Sequence, residues 1–223
     1  MKLLLSSNGL SNQSIAKALF ALVGKPASET NIAFIPTAMN PGDSDKDWFV
    51  NDLYNINKQG LKNFDIVDIS ALPKEVWLPR LEKADVLFFS GGTTYHLMNW
   101  IKKSGLVDLL PEFLKTKVWA GISAGSMVTN PNLALSSKDR KMYYEEKFGE
   151  ASEQALGLVD FYIRPHFNSP SFPKLRKEYL EEIAATMSGT IYALDDNSAL
   201  SYDNGKIEIV SEGEYLILNK IAN

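Results

Sequence analysis

Short apolar runs rich in Val, Ile and Phe alternate along the chain with longer segments whose apolar positions recur every three to four residues. Runs of the first kind suit strands buried on both faces, and segments of the second kind suit helices lying against them. The runs predict strands at Lys2–Ser6, Ile32–Ile35, Asp65–Ile69, Val86–Ser90, Val118–Ile122, Phe161–Arg164 and Ile191–Leu194. A later, antiparallel-looking set falls at Ala199–Tyr202, Lys206–Val210 and Tyr215–Leu218, and Asp203-Asn204-Gly205 between the first two predicts a tight hairpin turn.

Helices are predicted over Asn12–Val23, where Ile15, Ala18, Leu19 and Leu22 share one side, and over Lys46–Lys58 and Tyr95–Lys103. Pro173 predicts a further helix start, over Lys174–Met187, because its fixed φ and missing N–H cost nothing in a first turn. The most polar and charge-rich stretch, Ser136–Gln154, predicts a surface excursion placed to serve as a lid. Strands alternating with helices give an α/β fold: a mostly parallel sheet flanked by helices in a single domain over residues 1–223, closing with a C-terminal antiparallel hairpin near one sheet edge.

Composition narrows what such a fold does. The 223 residues carry a net charge of -4 from interspersed acids and bases, without the basic stripe that a phosphate backbone requires, so no nucleic-acid partner is expected. The chain has no cysteine, which excludes disulfides, thiolate metal sites and a thiol nucleophile. Two isolated histidines and scattered carboxylates form no recognisable metal-ligand set, and neither a metal nor an organic cofactor is expected. No stretch approaches the roughly 20 apolar residues of a membrane span. Met1–Ser7 lacks a secretory apolar region and cleavage site, so no membrane partner and a cytoplasmic residence are the expectations. Trp48, Trp77 and Trp100 suit either a core or an interface between copies, core being the commoner fate, and a homodimer is compatible with them.

One motif carries chemistry. Val118-Trp119-Ala120-Gly121-Ile122-Ser123-Ala124-Gly125 runs from an apolar strand through G-x-S-x-G into a helix start. A strand-to-helix turn of this kind holds a strained, exposed serine between small residues, with the N–H of the next residue, Ala124, available to an oxyanion. The plainer reading makes Ser123 a helix cap between two permissive glycines. A second glycine loop, Ser90-Gly91-Gly92-Thr93-Thr94-Tyr95-His96, follows another predicted strand and can bring a further backbone N–H to the same place, or simply turn into a helix capped by Thr93 or Thr94.

A base for Ser123 is His96, His166 or something other than histidine. His166 ends a strand, on the edge where open α/β sheets build sites, whereas His96 falls inside a helix, as a packing or substrate-side residue. Leu194-Asp195-Asp196 ends another strand and offers an acid to orient the imidazole; alternation lets only one of the two aspartates face it. Three functions compete. The first is acyl transfer from a short peptide to water. The second is an esterase or similar hydrolase on an α/β-hydrolase scaffold, against which stands the order Ser, His, acid. The third is a binding or regulatory protein with a weakened site.

Four stretches together carry a family resemblance: F-S-G-G-T-T-Y-H-L, G-I-S-A-G-S, L-G-L-V-D-F-Y-I-R-P-H-F and L-D-D-N-S-A-L. With these in order over most of its length, the chain resembles the peptidase E family, serine peptidases that include aspartyl dipeptidase and the cyanophycinases. Their fold is like that of class I glutamine amidotransferases, a flavodoxin-like arrangement. The resemblance implies Ser123 as nucleophile, His166 as base, Asp196 in the position usually held by Glu, and Gly92 and Ala124 as oxyanion donors. It leaves Thr93, Thr94, His96 and Asp195 as substrate-pocket candidates, with a small peptide as substrate. Thr93 stands where the family often has Asn, and Pro131–Leu135 lacks the arginine that aspartyl dipeptidase would be expected to carry there, so a preference for N-terminal aspartate is not implied.

Overall fold

The computed structural model describes residues 1–220; the last three residues of the unit expected over 1–223 lie outside the described residues. In chain order the elements are β1 (Lys2–Ser6), α1 (Gln13–Val23), β2 (Asn31–Ile35), α2 (Asp47–Asn57), β3 (Asn63–Ile66), α3 (Lys74–Lys83), β4 (Val86–Phe89), α4 (Thr94–Lys103), α5 (Leu110–Phe113), β5 (Val118–Ile122), α6 (Ala124–Met127), α7 (Lys138–Phe148), β6 (Tyr162–Pro165), α8 (Lys177–Ala184), β7 (Ile191–Leu194), β8 (Ser198–Asp203), β9 (Lys206–Ser211) and β10 (Tyr215–Leu218).

Seven strands form one sheet in the order β3-β2-β4-β5-β1-β8-β9. The first five are parallel, and β8 and β9 join antiparallel at the edge. Asn204 and Gly205 both take positive φ in the two-residue turn between β8 and β9, the conformation that an Asn-Gly pair adopts at little cost. The sheet is covered on both faces. Leu3, Leu5, Ala33, Ile35, Leu87, Phe89 and Trp119 pack to one side, while Leu4, Ile32, Phe34, Val86, Phe88, Val118 and Ala120 pack to the other. Alternating burial on both faces makes β4, Val-Leu-Phe-Phe, wholly apolar, each side chain stabilising the fold by about 1.5–3 kcal/mol over its exposed state. Phe89 stacks on Trp119 across the β4–β5 pair, ring centroids 3.7 Å apart.

Three expectations need correction. β6, β7 and β10 leave the main sheet and form a second one, ordered β10-β7-β6, so the third of the late strands pairs with β7 rather than extending the hairpin. The strand expected at Asp65–Ile69 runs from Asn63 to Ile66, because the Asp68 carboxylate accepts from Thr37, Asn40 and Ser70 and turns the chain. Pro173 does not begin a helix: α8 starts at Lys177 after an extended Arg176. Residues 169–175 instead make two turns that drive Leu175 into a cluster with Phe167, Leu180 and Ala193.

The polar excursion contains a helix, α7, whose first turn is capped by Ser137 accepting from the Arg140 N–H. Its buried Tyr144 faces α4. Among the described residues no helix is long and apolar enough to cross a membrane.

Candidate active site

The carboxyl ends of β1, β4, β5, β6 and β7 converge on one cavity of about 580 Å³, delivering Ser7, Gly91 and Gly92, Ser123, His166 and Asp196 respectively. Neighbouring parallel strands β4, β5 and β1 bring the first three together, and the parallel β6–β7 pair of the second sheet brings the last two. This is the end of an open α/β sheet at which loops, not strands, set the chemistry.

Ser123 has φ 47° and ψ -99°, a conformation costly for any residue with a side chain. Packing enforces it. A Cβ on Gly121 would collide with the Gly125 carbonyl, and one on Gly125 with the Phe89 backbone, so both small positions of G-x-S-x-G are fixed by close approach of β4, β5 and α6. The Ser123 N–H donates to Ser6 O at 3.0 Å, which ties the strained residue to β1. α6 is only four residues long, so its field on Ser123 is that of a single turn; the N–H of Ala124, leading that turn, has no acceptor within the helix.

The Ser123 hydroxyl lies 2.8 Å from His166 Nε2, and His166 Nδ1 lies 2.7 Å from Asp196 Oδ1. Burial raises the Asp196 pKa, but hydrogen bonds from His166, Ser169 and Ser7 and the charge His166 can carry outweigh it and hold the carboxyl down at about 2. An ionised carboxylate only accepts hydrogen bonds, so Nδ1 is the protonated nitrogen and Nε2 presents its lone pair to the serine hydroxyl. Asp196, though one methylene shorter than Glu, reaches the ring. Ser7 braces the pair: its hydroxyl donates to Asp196 Oδ1 at 2.9 Å and accepts the His166 backbone N–H at 2.9 Å. His166 itself takes φ 68°.

Phe172 lies flat on the His166 ring, centroids 4.1 Å apart and planes 7° from parallel. Arg140 also lies over Phe172, its guanidinium carbon 5.6 Å from the Phe172 centroid, while its Nη1 donates to the Gly92 carbonyl. Arg140 comes from α7, so an arginine does reach this cavity, from the excursion rather than from Pro131–Leu135. With Tyr143 it makes the excursion one wall of the site.

Of the pocket candidates, Thr93 lines the cavity and Thr94, His96 and Asp195 do not. Thr94 is the buried first residue of α4. His96 is buried among Trp100, Tyr144 and Phe148, with Nδ1 3.3 Å from the Tyr144 hydroxyl, and burial pushes its pKa down to about 4. Asp195 accepts from the Asn197 N–H, the Ser198 hydroxyl and the Glu214 N–H, organising the turn into β8. Gly92 lines the cavity at φ 132°, where a Cβ would run into the Ala38 carbonyl; only glycine fits. Thr93 N donates to that same carbonyl at 2.7 Å, and Gly91 sits so that a Cβ would be 3.7 Å from the Ser123 Cβ.

Several lining residues were not anticipated: Ser7, Trp48, Asp52, Arg140 and Phe172. Of the tryptophans weighed for core or interface, Trp77 is buried in the core, Trp100 is partly buried against it, and Trp48 is 37% exposed on the cavity wall.

Comparison with known proteins gives the family. The model of peptidase family S51 matches residues 3–210. An uncharacterised peptidase of Pasteurella multocida is 26% identical over 179 residues, covering 78% of this chain and 82% of that protein. A peptidase E of Haemophilus influenzae is 29% identical over 144 residues, covering 62% of this chain and 63% of that protein. A Listeria monocytogenes protein solved as a candidate peptidase E superposes with a TM-score of 0.76 at 23% identity, covering 95% of this chain and 98% of that one, which shows a shared fold. The chain belongs to peptidase family S51 and is a serine-type peptidase.

Proposed function

We propose that this peptidase hydrolyses short, dipeptide-like substrates with Ser123 as nucleophile, His166 as general base and acid, and Asp196 as the group that orients the imidazole. The single observation that supports this is the unbroken run of hydrogen bonds from Ser123 through His166 to Asp196 at the wall of a substrate-sized cavity.

His166 Nε2 accepts the hydroxyl proton as Ser123 Oγ bonds to the substrate carbonyl carbon. The oxyanion that forms is met by the backbone N–H groups of Ala124 and Gly92. Collapse breaks the C–N bond, and the imidazolium passes its proton to the departing amine. Water then repeats the sequence on the acyl-enzyme, His166 taking its proton, and Ser123 leaves as the alcohol with release of a carboxylic acid. A cavity of about 580 Å³, walled on one side by α7, suits a peptide of a few residues rather than a folded chain.

Covalent labelling with a fluorophosphonate, followed by hydrolysis across a dipeptide library, tests the reading. The expected result is a label on Ser123 in the wild type and a fall in kcat of about 10⁴-fold or more for Ser123→Ala. An unlabelled wild type, or hydrolysis untouched by Ser123→Ala, overturns it.

A further inference from the structure

The cavity is lined by a buried carboxyl group, Asp52, that this mechanism does not use. Asp52 stands on α2, four residues after Trp48, and both face the cavity. The residue is 2% exposed, and its Oδ1 has no hydrogen-bond partner. Burial alone acts on the carboxyl, with no cation to offset it, and pushes its pKa up to about 7. The two permanent cations on the same cavity are turned elsewhere: Lys46 donates to the carbonyls of Gly42 and Ser44, and Arg140 to that of Gly92.

The Gly9 backbone lies beside the carboxylate. Gly9 has φ +64°, and a Cβ there would stand 3.4 Å from Asp52 Oδ1 and 3.1 Å from Ile122 Cδ1. Asp52 lines the same cavity as Ile122 and Ser123, so a ligand group that meets its carboxylate belongs to a molecule in the cavity of the nucleophile. A carboxylate stripped of water without a partner is costly, and its natural complement is a positive charge that arrives from outside.

We propose that Asp52 is a specificity-determining residue that receives a cationic group of the substrate, either its α-ammonium or a lysine or arginine side chain, in the cavity that holds Ser123. This rests on the peptidase reading of that cavity and adds the charge that the substrate carries into it.

Binding to the hydrolytically silent Ser123→Ala protein, measured by calorimetry, tests it with three ligands: alanyl-alanine amide, Nα-acetyl-lysyl-alanine amide and Nα-acetyl-norleucyl-alanine amide. One of the two cationic ligands binds roughly 10- to 100-fold tighter than the neutral one, which identifies the source of the charge, and Asp52→Asn in the same background removes the difference. Equal binding of all three ligands, or a preference for the cation that survives Asp52→Asn, overturns the inference. Asp52→Ser is the second variant should the amide not fold, and equal binding of the three ligands by the Ser123→Ala protein overturns the inference without either. Labelling of Ser123 in the wild type is read separately: its failure strikes the peptidase mechanism, and a lack of charge preference strikes Asp52 alone.

Discussion

The ring of Phe172 stacks on the His166 imidazole, centroids 4.1 Å apart and planes 7° from parallel. Stacking of this kind restricts the tilt of the imidazole while leaving both nitrogens to their partners, and aromatic pairs contribute about 0.5–1.5 kcal/mol beyond their burial. Phe172→Ala should therefore lower kcat about 3- to 10-fold, with Phe172→Tyr restoring most of it. Steady-state kinetics on a good dipeptide substrate would show this, and an unchanged kcat in the alanine variant would contradict it.

The strain at Ser123 gives a prediction about stability. A residue at φ 47°, ψ -99° pays about 1–3 kcal/mol that glycine does not. Ser123→Gly should unfold at higher denaturant than the wild type by about that free energy, whereas Ser123→Ala, which keeps a Cβ, should gain little. Chemical denaturation of the three proteins measures the difference, and equal midpoints for Gly and Ala variants would show the turn to be unstrained.

Asp52 makes stability depend on pH in an unusual direction. Its carboxyl titrates near 7 in the fold against 3.8 when unfolded, so between those values the folded state holds the extra proton. Stability from this group is full below pH 3.8, declines as pH rises and is gone above 7. Asp52→Asn should be more stable than the wild type at pH 8, by about 2–4 kcal/mol, and nearly equal to it at pH 4. Melting curves at the two pH values check the sign; a variant that is less stable at pH 8 would refute it.

The two histidines should separate cleanly. His96 is buried against aromatic rings with its pKa lowered to about 4, so its contribution to stability is present above 6.5 and is lost as pH falls towards 4. His96→Gln should leave kcat at pH 7.5 within about twofold and remove that acid-side loss, while His166→Gln should cost about 10⁴-fold in kcat. A large loss of turnover for His96→Gln would return that residue to the site.

Much of this architecture was legible before any coordinates. The all-apolar β4 and β5 read as doubly covered strands because both faces of each are buried, and the glycines around Ser123 read as a tight turn because nothing larger fits beside Phe89. The choice between Asp195 and Asp196 was not legible. Alternation says that they diverge, but only the turn into β8 decides which is taken up by Asn197, Ser198 and Glu214. α3 escaped notice because Pro79 interrupts its middle and only Trp77 and Leu81 are buried. Arg140 and Phe172 reach the site from α7 and from the turns before α8, segments whose placement depends on contacts distant in sequence. Asp52 did leave a trace: an acid on the face of α2 that also carries Ile56, where an amphipathic helix should be apolar.

The brace between Ser7 and Asp196 joins positions 189 residues apart. On the proposed mechanism, a chain interrupted anywhere between them holds at most an incomplete set of proton-handling groups, and a ribosome-bound chain that stops short of residue 196 has the serine and the imidazole without the Asp196 carboxylate. On the same proposed mechanism hydrolytic competence belongs to the assembled pair of sheets, is withheld until synthesis has passed residue 196, and two fragments split within the excursion would regain it only by reassembling around that brace.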